Sequence, residues 1–306
     1  MGILINDFKL LLEARARQVS FAKVLTLGRL SVQIQRHDLE DLLVGHGLKP
    51  AGGPTFYQQF GVGYNGDDLF RLLGAGQVDS MDYSNFEGAS IIHDLNHPMP
   101  PLYDEQYDVV IDGGTLEHVF NFPVAIHNAM RAVKIGGRLF IFQMANNFCG
   151  HGFYCLSPEL FYRLLTPKYG FQVERMLVYE EHDFTRVFSV ADTQRTVKRL
   201  NIKSDYGVLI MVEARKLGPG ANPLVDAPAQ FDYSQQWADA VSPPGTSAAP
   251  KKERKPSLLH DVPWYARWQS RRSMKRRAKK EKIKGHFGDP RIFQPYHFSN
   301  ALNGKS

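Results

Sequence analysis

Apolar positions along this chain follow two rhythms, short continuous runs and stretches of helical period. Tyr107-Asp-Val-Val-Ile-Asp112 is the clearest run: β-branched, then closing abruptly on an acid, as suits a strand buried on both faces of a parallel sheet. Similar runs predict strands at Lys23–Gly28, Gln77–Asp82, Ala89–Asp94, Arg138–Phe142, Gly170–Val178 and Tyr206–Glu213. Helical spacing predicts helices over residues 3–18, 36–44, 67–73 and 123–133, with Gly136-Gly137 as a C-cap pair. Leu116, Val119 and Phe120 begin a further pattern of helical spacing. Ser157-Pro158 supplies the N-cap and first residue of a helix running to Leu165. Strands alternating with helices predict an α/β fold with a mostly parallel sheet of about seven strands, helices on both faces and right-handed crossovers. The two late strands lack full helical crossovers, which allows one antiparallel edge strand.

Breaks in these rhythms divide the chain. Residues 36–75 form a long insertion rich in turn formers (Gly45, Gly47, Pro50, Gly52, Gly53, Pro54), too long for an ordinary connection. After Lys216 the composition shifts. An α/β domain is therefore expected over residues 1–217, a Pro/Ala/Gly/Ser-rich linker over 218–250, and a basic, aromatic C-terminal tail over 251–306.

Composition narrows the class. Among 306 residues, 43% hydrophobic and 22% charged are the proportions of an ordinary globular protein. Cys149 and Cys155 make no disulfide framework, and neither has a second Cys or a His at zinc-ligand spacing, so no metal site is expected. A reducing cytoplasm is the natural compartment. Residues 1–20 do not form a signal peptide, because Asp7, Lys9, Glu13, Arg15 and Arg17 interrupt the apolar positions. No run approaches the roughly 20 apolar residues of a membrane span.

The net charge of +6 is not spread evenly. Lys251 to Lys284 carries 14 Lys and Arg against 3 acids, or +11, which leaves −5 for the rest of the chain. On a helix opened by Pro263, Trp264 and Trp268 would share a side with Arg271 and Arg272. That mixture suits peripheral contact of residues 251–284 with an anionic membrane surface, at the inner face if the protein is cytoplasmic. Nonspecific nucleic-acid binding is the less favoured partner, and a solvated charged tail is the plain alternative. No feature specifies an oligomeric state.

Candidate chemistry gathers where strands end. Asp82, Asp94 and Asp112 each close a predicted strand, and Asp112-Gly113-Gly114 leads by a glycine turn into Leu116-Glu117-His118. This sets Asp112, Glu117 and His118 at the carboxyl edge of a sheet, where open α/β sheets bind ligands. Histidine is the side chain suited to proton transfer at neutral pH, so His118 with Glu117 makes a candidate catalytic pair; His151, between Gly150 and Gly152, is a comparable one. Structural alternatives stand beside each: acids after strands often form turns, and a Glu in a first helical turn favours the helix dipole.

The order of these motifs resembles that of the class I S-adenosylmethionine-dependent methyltransferases, in their small-molecule methyltransferase-domain group. A D-x-V-x-x-x-x-x-L-E-H-V stretch is answered by Asp108, Val110, Leu116, Glu117, His118 and Val119. An L-x-P-G-G turn is answered by Val133-Lys-Ile-Gly-Gly137, and H-G-x-x-x-x-S-P-E by His151-Gly152 with Ser157-Pro-Glu159. The resemblance covers about residues 20–215 and implies a Rossmann-like sheet with S-adenosyl-L-methionine as cofactor. It implies that Asp82, with Tyr83 beside it, accepts hydrogen bonds from the ribose hydroxyls, whose two donors suit a carboxylate. Asp94 and Leu95 would sit by the adenine amino group, and Asp112, Gly113 and Gly114 would line the methionine end. The acceptor implied is an oxygen or nitrogen of a small molecule, a sugar or lipid-linked glycan among the candidates, in a pocket built by residues 36–75 and 146–156.

One stretch departs from the family. Where its first strand runs into an acid and G-x-G-x-G, this chain has Thr26-Leu-Gly-Arg-Leu-Ser-Val32: Gly28 is kept, but Leu30 and Val32 replace glycines. Three readings follow: a modified cofactor pose, a different ligand with Arg29 as its cation, or a noncatalytic binding module tethered to a membrane or polyanion by its tail. Arg29 either pairs with the methionyl carboxylate or is a solvated surface residue.

Overall fold

Successive residues of the central strands enter opposite hydrophobic layers, as burial on both faces requires. Val24 joins one layer and Leu25 the other; Val109, Val110 and Ile111 alternate likewise, as do Leu139, Phe140, Ile141 and Phe142. In the computed structural model, which describes residues 2–49, 64–192, 194, 200–231, 233 and 290–299, these strands build one large sheet between two layers of helices.

Along the chain the elements are β1 (Gly2–Ile3), α1 (Ile5–Ala16), β2 (Lys23–Leu27), β3 (Ser31–Val32), α2 (Arg36–Gly45), β4 (Tyr64–Asn65) and α3 (Asp67–Leu72). There follow β5 (Gln77–Asp82), β6 (Ile91–Ile92), β7 (Tyr107–Asp112), α4 (Phe122–Ala132), β8 (Val133–Asn146) and α5 (Pro158–Leu164). The chain closes with β9 (Phe171–Glu180), β10 (Asp183–Val190), β11 (Val208–Lys216) and β12 (Phe293–Tyr296). The large sheet has nine strands in the order β12-β10-β9-β11-β8-β7-β2-β5-β6. From β8 to β6 every pairing is parallel, and β11 runs antiparallel between β8 and β9. Only β10 and β11 oppose the common direction. Strand order reverses at β2, whose neighbours are β5 and β7, which makes the carboxyl ends of these strands the switch point where such sheets hold ligands.

The expected α/β architecture is present, with differences of physical origin. The sheet has nine strands rather than about seven, because β10 and β12 extend its antiparallel edge. Exposed Thr185 and Arg186 break the apolar run that would have marked β10. The helical pattern expected from Leu116 is a 3-10 turn (Leu116–His118), with α4 starting separately at Phe122. Gly136 and Gly137 do not cap a helix. They lie inside β8, where a side chain at Gly137 would begin 2.7 Å from the Asp108 carbonyl oxygen. Ser157 caps α5 as expected, its hydroxyl accepting from the Glu159 N–H.

Parts of the expected linker and tail belong to the body. The Ala221 amide donates to the Lys168 carbonyl, and buried Phe231 donates its N–H to Glu159 Oε1 at 3.0 Å. Residues 293–296 pair antiparallel with β10, Ile292 and Phe293 are buried, and Tyr296 Oη donates to Glu13 Oε2 at 2.6 Å. Residues 50–63 of the insertion and the basic run 251–284, with Trp264 and Trp268, lie outside the described residues. No helix among the described residues is long and apolar enough to cross a membrane.

Candidate functional site

Register sets the three strand-end acids on one rim. Leu27 pairs with both Asp112 and Met81, and Asp82 pairs with Ile92, so Asp112, Asp82 and Asp94 all stand at the carboxyl edge of β7, β5 and β6. Their environments differ sharply. Asp82 is half-buried and accepts the Tyr83 N–H on Oδ1 at 2.6 Å, while Tyr83 itself is exposed. Asp94 accepts the Asn96 backbone N–H at 2.9 Å and its side-chain amide at 2.8 Å, and these bonds hold its carboxyl below the usual range. Leu95 is buried in the core. Asp112 is fully buried, receiving the Thr115 and Leu116 amides on Oδ1 and the Gln143 amide on Oδ2. Burial first, and the Glu117 charge second, push its pKa up to about 7.

The departure after β2 has a structural answer. Gly28 takes a positive φ of 71°, its N–H bonds the Met81 carbonyl, and Thr26 Oγ1 donates to the Gly28 carbonyl at 2.8 Å. The chain then turns into β3, which pairs with β1 on one side and β4 on the other. This carries Leu30 and Val32 into the core, 2% and 0% exposed. Leu30 lies against the rim: a Cβ on Gly113 would fall 2.8 Å from its Cδ2. A side chain at 113 would thus press on the end of Leu30, which would have to move aside; the family resemblance has this glycine line the methionine end. Arg29 is part-exposed but not free. It donates to the Gly88 carbonyl at 2.6 Å and pairs with Asp67 at 3.0 Å, bridging the loops after β2 and β5.

Beside Leu30 opens a cleft of about 200 Å³, lined among others by Gly113, Gly114, Glu117, Gln143, His151 and Tyr179. Glu117 is fully buried, and Gln143 Nε2 ties its Oε2 (2.6 Å) to Asp112 Oδ2 (2.5 Å). Glu117 Oε1 has no hydrogen-bond partner among the described residues; it stands 3.7 Å from His118 Nε2 and 3.8 Å from His151 Nε2. The two imidazoles are about 40% exposed and face one another with centroids 5.1 Å apart. The loop carrying His151 docks because Gly152 fits against Glu117, where a Cβ would fall 2.9 Å from its carbonyl oxygen, and Phe153 N–H donates to that oxygen. Exposed Phe120 and Phe153 meet edge to face beyond the histidines.

The three predicted catalytic candidates, Glu117, His118 and His151, therefore meet at one place, and Glu117 and His151 line the cleft together with Gly113 and Gly114. Asp82, Tyr83, Asp94, Gly28 and Arg29 share the rim but do not line the cleft. Sequence reasoning missed Gln143, Asp7 and Tyr179. Gln143 had a signal, as a polar residue between Phe142 and Met144 in an apolar run; Asp7 looked like one more polar position of an amphipathic helix.

No family model and no curated protein matches the sequence. Solved structures that align with it include the trans-methyltransferase CalH in complex with S-adenosylhomocysteine (14% identity, 68% of this chain and 55% of that one, TM-score 0.36). Another is the 1,6-didemethyltoxoflavin-N1-methyltransferase of Burkholderia thailandensis with bound 1,6-didemethyltoxoflavin and S-adenosylhomocysteine (14%, 69% and 80%, TM-score 0.34). A third is a branched-chain polyamine synthase mutein of Thermus thermophilus (12%, 71% and 58%, TM-score 0.36). Likeness at this level assigns neither activity nor ligand to the chain.

Proposed function

We propose that the protein transfers a methyl group from S-adenosyl-L-methionine to an oxygen or nitrogen of a small molecule. The observation that carries this reading is the row of strand-end acids at the switch point, on the same carboxyl edge as a cleft lined by Gly113, Gly114, Glu117 and His151, with His118 beside the last two. Asp82 supports the adenosyl end: its Oδ1 takes one N–H, and a half-exposed carboxylate has acceptor capacity left for a diol. The cofactor supplies a methyl group on a cationic sulfur; the chain's part is to align the acceptor and ease the loss of its proton beside the Glu117, His118 and His151 cluster. Phe120 and Phe153 favour an acceptor with an apolar or ring face.

Leu30 sets a condition on this reading. Its position over Gly113 does not fit the family's usual methionine cradle, so binding requires the side chain to turn aside or the cofactor to lie differently. The same observation favours the second reading, a ligand-binding module without methyl transfer. Calorimetry with S-adenosylmethionine separates them. Wild type is expected to bind, Leu30→Ala to bind at least as tightly, and Asp82→Ala to bind about 10–100-fold more weakly, the worth of a charge-assisted hydrogen bond. Absence of binding by both folded wild type and Leu30→Ala would leave the second reading. The acceptor class, and whether a sugar or lipid-linked glycan fills the cleft, would follow from product analysis with candidate acceptors.

A further inference from the structure

We propose that Glu117, His118 and His151 form a site for one divalent transition-metal ion of the zinc type, bound by Glu117 Oε1 and the two imidazole Nε2 atoms. Their candidate donor atoms lie within 4.8 Å of one another, and the carboxylate oxygen stands 3.7 and 3.8 Å from the two nitrogens. Donors about 2.0–2.1 Å from a tetrahedral ion are roughly 3.4 Å apart. Rotation of the two half-exposed rings would have to bring donors spread over as much as 4.8 Å to that spacing, and no hydrogen bond from either ring to another described residue opposes it. Nitrogen and carboxylate ligands without thiolate suit a borderline divalent ion.

Glu117 Oε1 is independent support. It is fully buried, without a hydrogen bond among the described residues, and points at the two histidines. A dry, unpaired carboxylate oxygen is costly, and a cation at this point removes the cost. The surrounding bonds have the form of an outer coordination sphere. Gln143 gives one amide hydrogen to Glu117 Oε2 and the other to Asp112, which fixes the carboxylate and leaves Oε1 turned outward. The Gly152 contact and the Phe153 amide lock the His151 loop onto the Glu117 backbone.

Three protein ligands leave a coordination position open, the mark of a catalytic rather than a structural ion. The cleft that Glu117 and His151 line gives onto it, so an oxygen of a bound small molecule, or water, would complete the sphere and lose its proton more readily. That role for the ion rests on the methyl-transfer reading. The ion site itself does not.

The test uses the full chain, stripped with a chelator, returned to chelator-free buffer and titrated calorimetrically with Zn²⁺. S-adenosylmethionine is left out, so failure here is distinct from failure of the cofactor reading. One equivalent per chain is expected at micromolar or tighter affinity. His118→Ala, His151→Ala and the isosteric Glu117→Gln should each weaken it by at least about 10-fold, the loss seen even for outer-sphere partners. Near-UV circular dichroism checks the fold of each variant. Wild type loaded with Co²⁺ should show the strong visible bands of a four- or five-coordinate site, a readout that needs no variant. Binding unchanged in folded Glu117→Gln, absence of stoichiometric binding, or the pale spectrum of aqueous Co²⁺ overturns the proposal.

Discussion

Asp7 shows how much a single side chain can hold back from the sequence. It sits in the first turn of α1, 2% exposed, accepts the Leu4 N–H at 2.8 Å and lines the cleft near Tyr179. Burial pushes its pKa up to about 8, against the weaker downward pull of the Leu4 amide. The folded protein therefore keeps a proton that the unfolded chain releases near pH 4. The stability this group contributes is complete below that value and is lost as pH rises through about 8. Urea melts should show wild-type stability falling between about pH 5 and about pH 8. Asp7→Asn should flatten that limb and be the more stable protein at its upper end; equal slopes would refute the buried, protonated carboxyl. Asp112, raised to about 7, adds a slope of the same sign, so the flattening is partial. Neither shift was legible beforehand, because an acid in an amphipathic pattern looks alike whether it meets solvent or a covered face. Gly113 teaches the same point: its glycine was visible, but its contact with Leu30 comes from a strand pairing that no local pattern encodes.

Among elements, those written in local period were readable and those defined by a distant partner were not. The runs of β2, β7, β9 and β11 declared themselves because burial on both faces demands continuous apolar residues, while β5, with only Val78 and Met81 apolar, was marked by its closing acid. Their parallel register then brought Asp82, Asp94 and Asp112 to one rim, which is why that much of the site could be foreseen. The convergence of His151 on Glu117 followed motif order, but its cause is the fit of Gly152 on the Glu117 backbone. β12 lay hidden, since four residues with exposed Gln294 and Pro295 and a partner a hundred positions away carry no periodic signal. Its anchor is apolar: Phe293 is 5% exposed and packs in the main core. Phe293→Ala is expected to cost about 3–5 kcal/mol in denaturant unfolding. A change below about 1 kcal/mol, the scale of surface substitutions, would mean that the strand adds little to the fold.

For the whole molecule, the return of β12 changes how the basic run must be tested. Removing everything from residue 251 onward would also strip Phe293 and the Tyr296–Glu13 bond from the body. An internal deletion of residues 251–284 leaves both. In liposome co-sedimentation with anionic vesicles, that deletion is expected to abolish partition shown by the full chain, and raised salt to weaken it. Equal partition of the two proteins would dispose of the membrane contact. Phe231 docks on one side of the unassigned stretch and residues 290–299 on the other, so both of its ends are fastened to the same core. A single tryptic cut within it, at limiting protease, would not shed a peptide. It would yield a nicked species whose two fragments travel together through gel filtration and part only in denaturant.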